Sequence, residues 1–362
     1  MSNIIDYLQW RKDLTFAQDP FNAIDSLILS RAAYLRWEYI FEGEEQYTFQ
    51  KAYRKYESDS LNDDKILADE DPQLFSLLAQ SRRFQNCIIS NFVCEHQEER
   101  SLQFCALIFH LDDHTHYIAF RGTDNTLIGW KENLNMCFQD VVGSQKAALR
   151  YIRDAANEHR GKLRLGGHSK GGNLAVYSAL FTLKSIQKRI LEVDNFDGPG
   201  LSKKMYEKRK NHEIYQKVRI YYPQNSIIGR FLYQKERDYI LIQSNKKGIY
   251  QHDLYSWQLL GKDFICADDF DRQSEVIEGA MNDFLEKITP SQREECVNVI
   301  FEVLSSTNEE TFHDLSNNWL KNTSVLIKAI SKIDMENKKV VLDSLKAFMN
   351  AVFEELKEEK ER

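Results

Sequence analysis

The feature that most constrains this chain is Gly166-Gly167-His168-Ser169-Lys170-Gly171-Gly172, set between an apolar run, Lys162–Leu165, and an amphipathic one, Gly171–Lys184. The first run reads as a short strand and the second as a helix carrying Leu174, Ala175, Tyr177, Ser178 and Leu180. A Gly-x-Ser-x-Gly pentapeptide at a strand-to-helix turn is a nucleophile elbow, in which a tight turn forces the serine into a strained conformation. Residues two before and two after it must then lack side chains, and Gly167 and Gly171 satisfy this. The Ser169 hydroxyl is expected above the sheet edge with a helix N-terminus behind it, where negative charge is favoured. The Lys170 backbone N–H is the expected oxyanion donor. A tight turn without chemistry is the plainer alternative.

The rest of the pattern supplies a sheet for that turn. Cys87–Cys94, Phe104–His110 and Tyr117–Phe120 are strand-like runs joined by short polar turns, an antiparallel start. Strands and helices then alternate: helix Gln145–Arg160, strands Ile190–Phe196, Val218–Tyr222 and Tyr239–Gln243. Alternation of this kind predicts a mostly parallel sheet with crossover helices. Residues before about 80 read as helical, with a stripe from Phe21 to Phe41 and a helix starting with Asp71 as N-cap and Pro72 in its first turn. Residues beyond Asp271 read as helical too, with a capped start at Thr289-Pro290-Ser291-Gln292 and a last apolar stripe from Val341 to Leu356. The expected division is a helical addition over 1–85, an α/β core over 86–270 and a helical region over 271–362.

A net charge of -7, mixed along the chain, gives no reason to expect nucleic acid as a partner. No stretch is apolar for long enough to span a bilayer or to read as a secretion signal, so a cytoplasmic location is expected. Cys87, Cys94, Cys105, Cys137, Cys266 and Cys296 are scattered without a Cys-x-x-Cys pair. Reduced, mostly buried thiols are expected in preference to disulfides or a zinc site. Neither a metal nor an organic cofactor is implied, and oligomeric state is not legible.

Further site residues follow from chain order. A second oxyanion donor should come from the loop after an earlier strand, where Arg121-Gly122-Thr123-Asp124 follows Tyr117–Phe120. Thr123 offers both an N–H and a hydroxyl; a simple strand-end turn is the alternative. After Ser169 the histidines are His212, His252 and His313. His212 falls too early and His313 in the helical tail, so His252 is the expected base. The orienting acid is expected at Asp197, directly after Ile190–Phe196, with Asn225 as the alternative one strand later and a turn-capping role open for Asp197. Asp253 is a poorer candidate. His168 is expected to pack beneath the elbow, and Lys170 to be solvated or to stand at a cleft mouth where it would favour an anionic acyl group.

Phe120-Arg121-Gly122-Thr123, Trp130 and Gly167-His168-Ser169-Lys170-Gly171-Gly172-Asn173-Leu174-Ala175 resemble the fungal-type (class 3) lipases, with lysine replacing an apolar residue at position 170. That lysine, Asp197-Gly198-Pro199-Gly200, Ser226-Ile227-Ile228-Gly229 and His252-Asp253-x-x-Ser256-Trp257 make the chain more similar to the lipase-like "Mbeg" family of bacterial proteins. With Asp6-Tyr7-Leu8-x-Trp10-Arg11 and Phe21-Asn22, the similarity spans roughly residues 1–320. It implies an α/β-hydrolase fold and a serine hydrolase but supplies no substrate; the elbow chemistry itself leads to the expectation of an ester or thioester, soluble or short-chain. Acyl transfer at the same site, or a non-catalytic scaffold that uses the pocket for binding, are the rival readings.

Overall fold

The computed structural model describes residues 2–271 except 42–44, 59–66, 98–101, 124–131, 133–134, 137–138 and 235–238, together with 279, 289, 291–292 and 295. Its frame is one eight-stranded sheet in consecutive order: β1 (Gln46–Thr48), β2 (Ile88–Gln97), β3 (Leu102–His110), β4 (Thr115–Arg121), β5 (Lys162–His168), β6 (Ile190–Phe196), β7 (Val218–Pro223) and β8 (Tyr239–Ile242). The first four strands pair antiparallel and β4 to β8 run parallel. The antiparallel start and parallel continuation expected from the sequence are both present.

Consecutive order has a consequence for layering. Parallel strands are joined by right-handed crossovers, and when each next strand is added on the same side, every crossover helix lands on the same face. Three helices that follow β4, here called α5 (Gly143–Glu158), α6 (Lys170–Phe181) and α7 (Lys203–Arg209), do share one core. Ala148, Ile152, Leu174 and Leu180 pack there on Phe104, Phe120, Leu165 and Val193. The opposite face needs another cover, and the N-terminal helices α1 (Ile4–Arg11), α2 (Ala23–Ala32), α3 (Phe49–Ser58) and α4 (Asp71–Gln80) provide it. Their Ile24, Leu27, Ile28 and Leu74 share a second core with Phe109, Tyr117, Ala119 and Phe196. Trp37 anchors this layer edge-on to Phe49, Phe75 and Phe109 at 5.5–6.5 Å, contacts contributing about 0.5–1.5 kcal/mol each beyond their burial.

Three local expectations are corrected. The stripe from Phe21 to Phe41 is not one helix: α2 stops at Ala32, whose carbonyl accepts the Trp37 indole N–H at 2.8 Å. That bond satisfies an end carbonyl and turns the chain. The N-terminal region is also not wholly helical, because Gln46–Thr48 adds an edge strand to β2. Asp71 is the first residue of α4, after Glu70 as N-cap. Its carboxylate instead receives Arg31 Nη2 at 2.6 Å and Tyr255 Oη at 2.7 Å. Among the described residues of the C-terminal region, Thr289 and Gln292 form the expected reciprocal cap: Thr289 N donates to Gln292 Oε1 at 2.9 Å and Gln292 N to Thr289 Oγ1 at 3.3 Å. His313 and the stripe from Val341 to Leu356 lie outside the described residues.

The N-terminal layer also reaches the loop after β8. Asn3 Nδ2 donates to the Tyr255 carbonyl at 3.0 Å, and Tyr255 Oη closes the Arg31–Asp71 pair. Helices that cover the sheet therefore also hold the segment carrying His252.

Candidate active site

Ser169 lies between the end of β5 and the start of α6 with φ 57 and ψ -132. Such a conformation costs a non-glycine residue about 1–3 kcal/mol, and the turn is fixed on both sides. Ser169 N donates to the Phe196 carbonyl and Gly172 N to the Ser169 carbonyl, each at 2.9 Å. The flanking glycines are required by close approach. A methyl group on Gly167 would meet the Phe120 carbonyl oxygen at 2.6 Å, and one on Gly171 would collide with that same oxygen.

The segment Arg121–Thr123, where the sequence leads to the expectation of a second oxyanion donor, passes directly against this turn. A methyl group on Gly122 would lie 2.6 Å from the His168 carbonyl oxygen and 3.2 Å from Ser169 Cβ. Thr123 follows, half-buried at the end of β4. On the other side of Ser169, Lys170 and Gly171 form the first turn of α6, whose N–H groups point outward past the helix N-terminus.

Asp197 directly follows β6, with φ 50 and its N–H bonded to the Tyr221 carbonyl at 2.9 Å. Its buried carboxylate accepts the Ser226 hydroxyl at Oδ1 and His252 Nδ1 at Oδ2, the latter at 2.6 Å. Glycine at position 229 gives the carboxylate room, since a side chain there would strike Asp197 Oδ1. Asn225 is buried, and its N–H donates to Gln251 Oε1 at 2.8 Å. Asp253 instead pairs with Lys246 Nζ at 2.9 Å and accepts the Tyr255 N–H at 3.1 Å. His212 caps the turn Glu213–Lys217, accepting the Ile214 N–H at 3.2 Å.

His252 belongs to the turn Gly248–His252, followed by Leu254–Ser256. The motif His-Asp-x-x-Ser-Trp is legible as its scaffold. Ser256 Oγ donates to the Asp253 carbonyl at 2.6 Å, and the buried Trp257 indole donates to the Gln251 carbonyl at 2.8 Å.

His168 joins this segment to the elbow. Its Nε2 donates to the His252 carbonyl at 2.8 Å, leaving Nδ1 to accept Tyr34 Oη at 3.1 Å. The His168 and His252 rings lie 4.3 Å apart between centroids. Burial, with the Arg31 guanidinium nearby, holds His168 well below the ordinary imidazole range, so the ring stays neutral and fixed as this tautomer. Tyr34 and Gln251 have no signature in the sequence, because each acts through contacts made by a distant part of the chain; Ser226 is legible as part of the Ser226–Gly229 motif, but its bond to Asp197 is not.

Lys170 is corrected. It is neither solvated nor at a cleft mouth but 1% exposed, with Nζ 2.8 Å from the Gln103 carbonyl, 3.0 Å from Gln103 Oε1 and 3.0 Å from Glu132 Oε2. The cysteine expectation is corrected as well: Cys94 and Cys105 are joined in a disulfide, while Cys87 is a buried thiol and Cys266 an exposed one. Register explains this, since Cys94 faces Cys105 across the β2–β3 ladder.

A mixed sheet of this order, turning from β5 through a positive-φ serine into a helix, defines an α/β-hydrolase-type fold. The sequence profile of the Mbeg1-like family matches residues 78–302, and the chain belongs to that family. The match leaves out the N-terminal motif around Asp6–Arg11. No curated protein matches the chain. Among solved structures, that of M37 lipase is similar at 15% identity and a TM-score of 0.35, over 56% of this chain and 68% of that one. Among the described residues, no helix is long and apolar enough to cross a membrane.

Proposed function

We propose that this protein is a serine hydrolase that cleaves a small carboxylic ester or thioester through an acyl-enzyme on Ser169. The observation that carries the reading is the 2.6 Å contact of His252 Nδ1 with Asp197 Oδ2, on the loop clamped to the residue before the serine. With Nδ1–H committed to the carboxylate, Nε2 is the nitrogen left to act as base. His252 takes the Ser169 proton as Oγ attacks the carbonyl, then returns it to the leaving oxygen or sulfur. Water repeats the sequence on the acyl-enzyme and frees the acid. Developing negative charge on the carbonyl oxygen is met by N–H groups of Lys170 and Thr123, at the helix N-terminus and the oxyanion segment.

The direct test is a fluorophosphonate probe with mass-spectrometric mapping. Labelling at Ser169 that vanishes in Ser169→Ala supports the reading; a protein left unlabelled at high probe concentration is a binding scaffold instead. The sequence shows no run of apolar residues that would mark a membrane-seeking lid. This supports short acyl groups, so p-nitrophenyl butyrate should be turned over faster than the palmitate. A preference for palmitate would overturn that choice.

A further inference from the structure

Outside the serine site, β2 and β3 gather three donors suited to a metal ion. Cys94 and His96 are two residues apart on β2 and so share a face of the strand. Cys105 stands directly opposite Cys94 on β3. One ligand atom from each of the three lies within 4.8 Å of the others, and His96 Nε2 is 3.5 Å from Cys94 Sγ. Cys105 is buried, Cys94 half-buried and His96 exposed, so the cluster opens to solvent on the histidine side.

We propose that, once the Cys94–Cys105 disulfide is reduced, Cys94, His96 and Cys105 form a Cys2His site for zinc. The site stands on its own geometry and does not rest on the hydrolase reading. A disulfide uses two cysteines; the imidazole nitrogen is a third donor at the same point. Tetrahedral zinc, with Zn–S about 2.3 Å and Zn–N about 2.0–2.1 Å, sets nitrogen and sulfur roughly 3.6 Å apart, close to the distance found. Arg121 Nη2 donates to Cys94 Sγ at 3.3 Å. A guanidinium there favours the thiolate over the thiol and can remain as a donor to a metal-bound sulfur.

The exchange balances with a dithiol reductant. Its two thiols pass two electrons and two protons to the Cys94–Cys105 bond, and the reductant leaves as its own disulfide. Zinc then displaces both thiol protons to solvent, the sulfurs part by side-chain rotation, and water takes the fourth position. Two thiolates offset the charge of the ion.

The test is cobalt(II) titration of the full-length protein after reduction and removal of the reductant. One equivalent should give the visible bands of tetrahedral cobalt and a thiolate charge-transfer band, both lost on adding zinc, which binds such sites more tightly. Without reduction the protein should give neither band. His96→Ala, at an exposed position that leaves the fold intact, should shift the bands and weaken binding by about tenfold or more. Cys105→Ser should remove most of the charge-transfer intensity, and Cys266→Ser should change nothing. Weak octahedral bands alone in the reduced protein, identical binding by His96→Ala, or a thiol count that reduction of the folded protein leaves unchanged would each overturn the proposal.

Discussion

The ammonium of Lys170 lies 3.0 Å from Glu132 Oε2, and both side chains are 1% exposed. Glu132 is also the acceptor for two backbone donors, Ser144 N at 2.8 Å and Gln103 N at 3.1 Å. One carboxylate therefore ties the segment after Thr123 to the start of α5, to β3 and to the residue after the serine. The lysine that departs from the lipase pattern is the counter-charge making this buried carboxylate tolerable.

Lys170→Met should accordingly cost about 3–5 kcal/mol, because Glu132 is left as an uncompensated buried charge. Adding Glu132→Gln should recover part of that loss, since no ion then lacks its partner. Urea midpoints of the two single variants and the double variant measure the coupling. Additive losses would show that the pair contributes no more than its separate packing.

The oxyanion segment can be probed without touching either core. Thr123 stands at a strand end, so Thr123→Ala should leave the melting temperature nearly unchanged. With the hydroxyl as a donor to the oxyanion, kcat falls by about 10²–10³. An unchanged kcat would leave only the backbone N–H of Thr123 as a donor.

At the opposite end of the sheet, His110, His116 and His159 cluster with ring centroids 4.6–5.5 Å apart. Ser90 Oγ, whose proton goes to Asn91 Oδ1 at 2.6 Å, lies 2.6 Å from His110 Nε2; His110 Nδ1 is 2.8 Å from His116 Nδ1, and His116 Nε2 donates to the Arg160 carbonyl at 2.6 Å. Burial and the two neighbouring imidazoles push His110 from 6.5 down to about 4. Between those values the unfolded chain binds a proton that the folded chain does not. The stability contributed by neutral His110 is thus present above pH 6.5 and lost as pH falls toward 4. His110→Gln should flatten the acid limb of a plot of urea midpoint against pH. Parallel limbs for the two proteins would refute the shift.

Much of this architecture is legible from local pattern. The elbow and the parallel strands follow from glycine placement and apolar periodicity, which are properties of short segments. What stays hidden depends on register or on side chains from distant elements. Cys94 and Cys105 look scattered until the β2–β3 ladder sets them face to face. Lys170 looks solvated until Glu132 and Gln103 are brought around it. Tyr34 carries no motif, yet it fixes the His168 ring. The strand Gln46–Thr48 is too short for alternation to show, and only its pairing with β2 makes it one.

Asp197 carries the carboxylate at 2.6 Å from His252 Nδ1, and Ser226 donates to its other oxygen. Replacing it by the isosteric amide gives one acceptor and one donor in place of two acceptors. The Ser226 hydroxyl can adapt to either end by rotating. If the amide oxygen takes Ser226, the NH2 faces His252 and selects the tautomer with Nε2 protonated, which cannot accept from Ser169. If the oxygen takes His252, the tautomer survives but the charge that would stabilise the imidazolium is gone. Either way Asp197→Asn should lower kcat by about 10³–10⁴, with little change in melting temperature because volume and burial are kept. Asn225→Ala should be mild by comparison, since the hydrogen bond from its backbone to Gln251 survives the change. Full activity in Asp197→Asn combined with none in Asn225→Ala would reverse the assignment and leave the site without a charged third member.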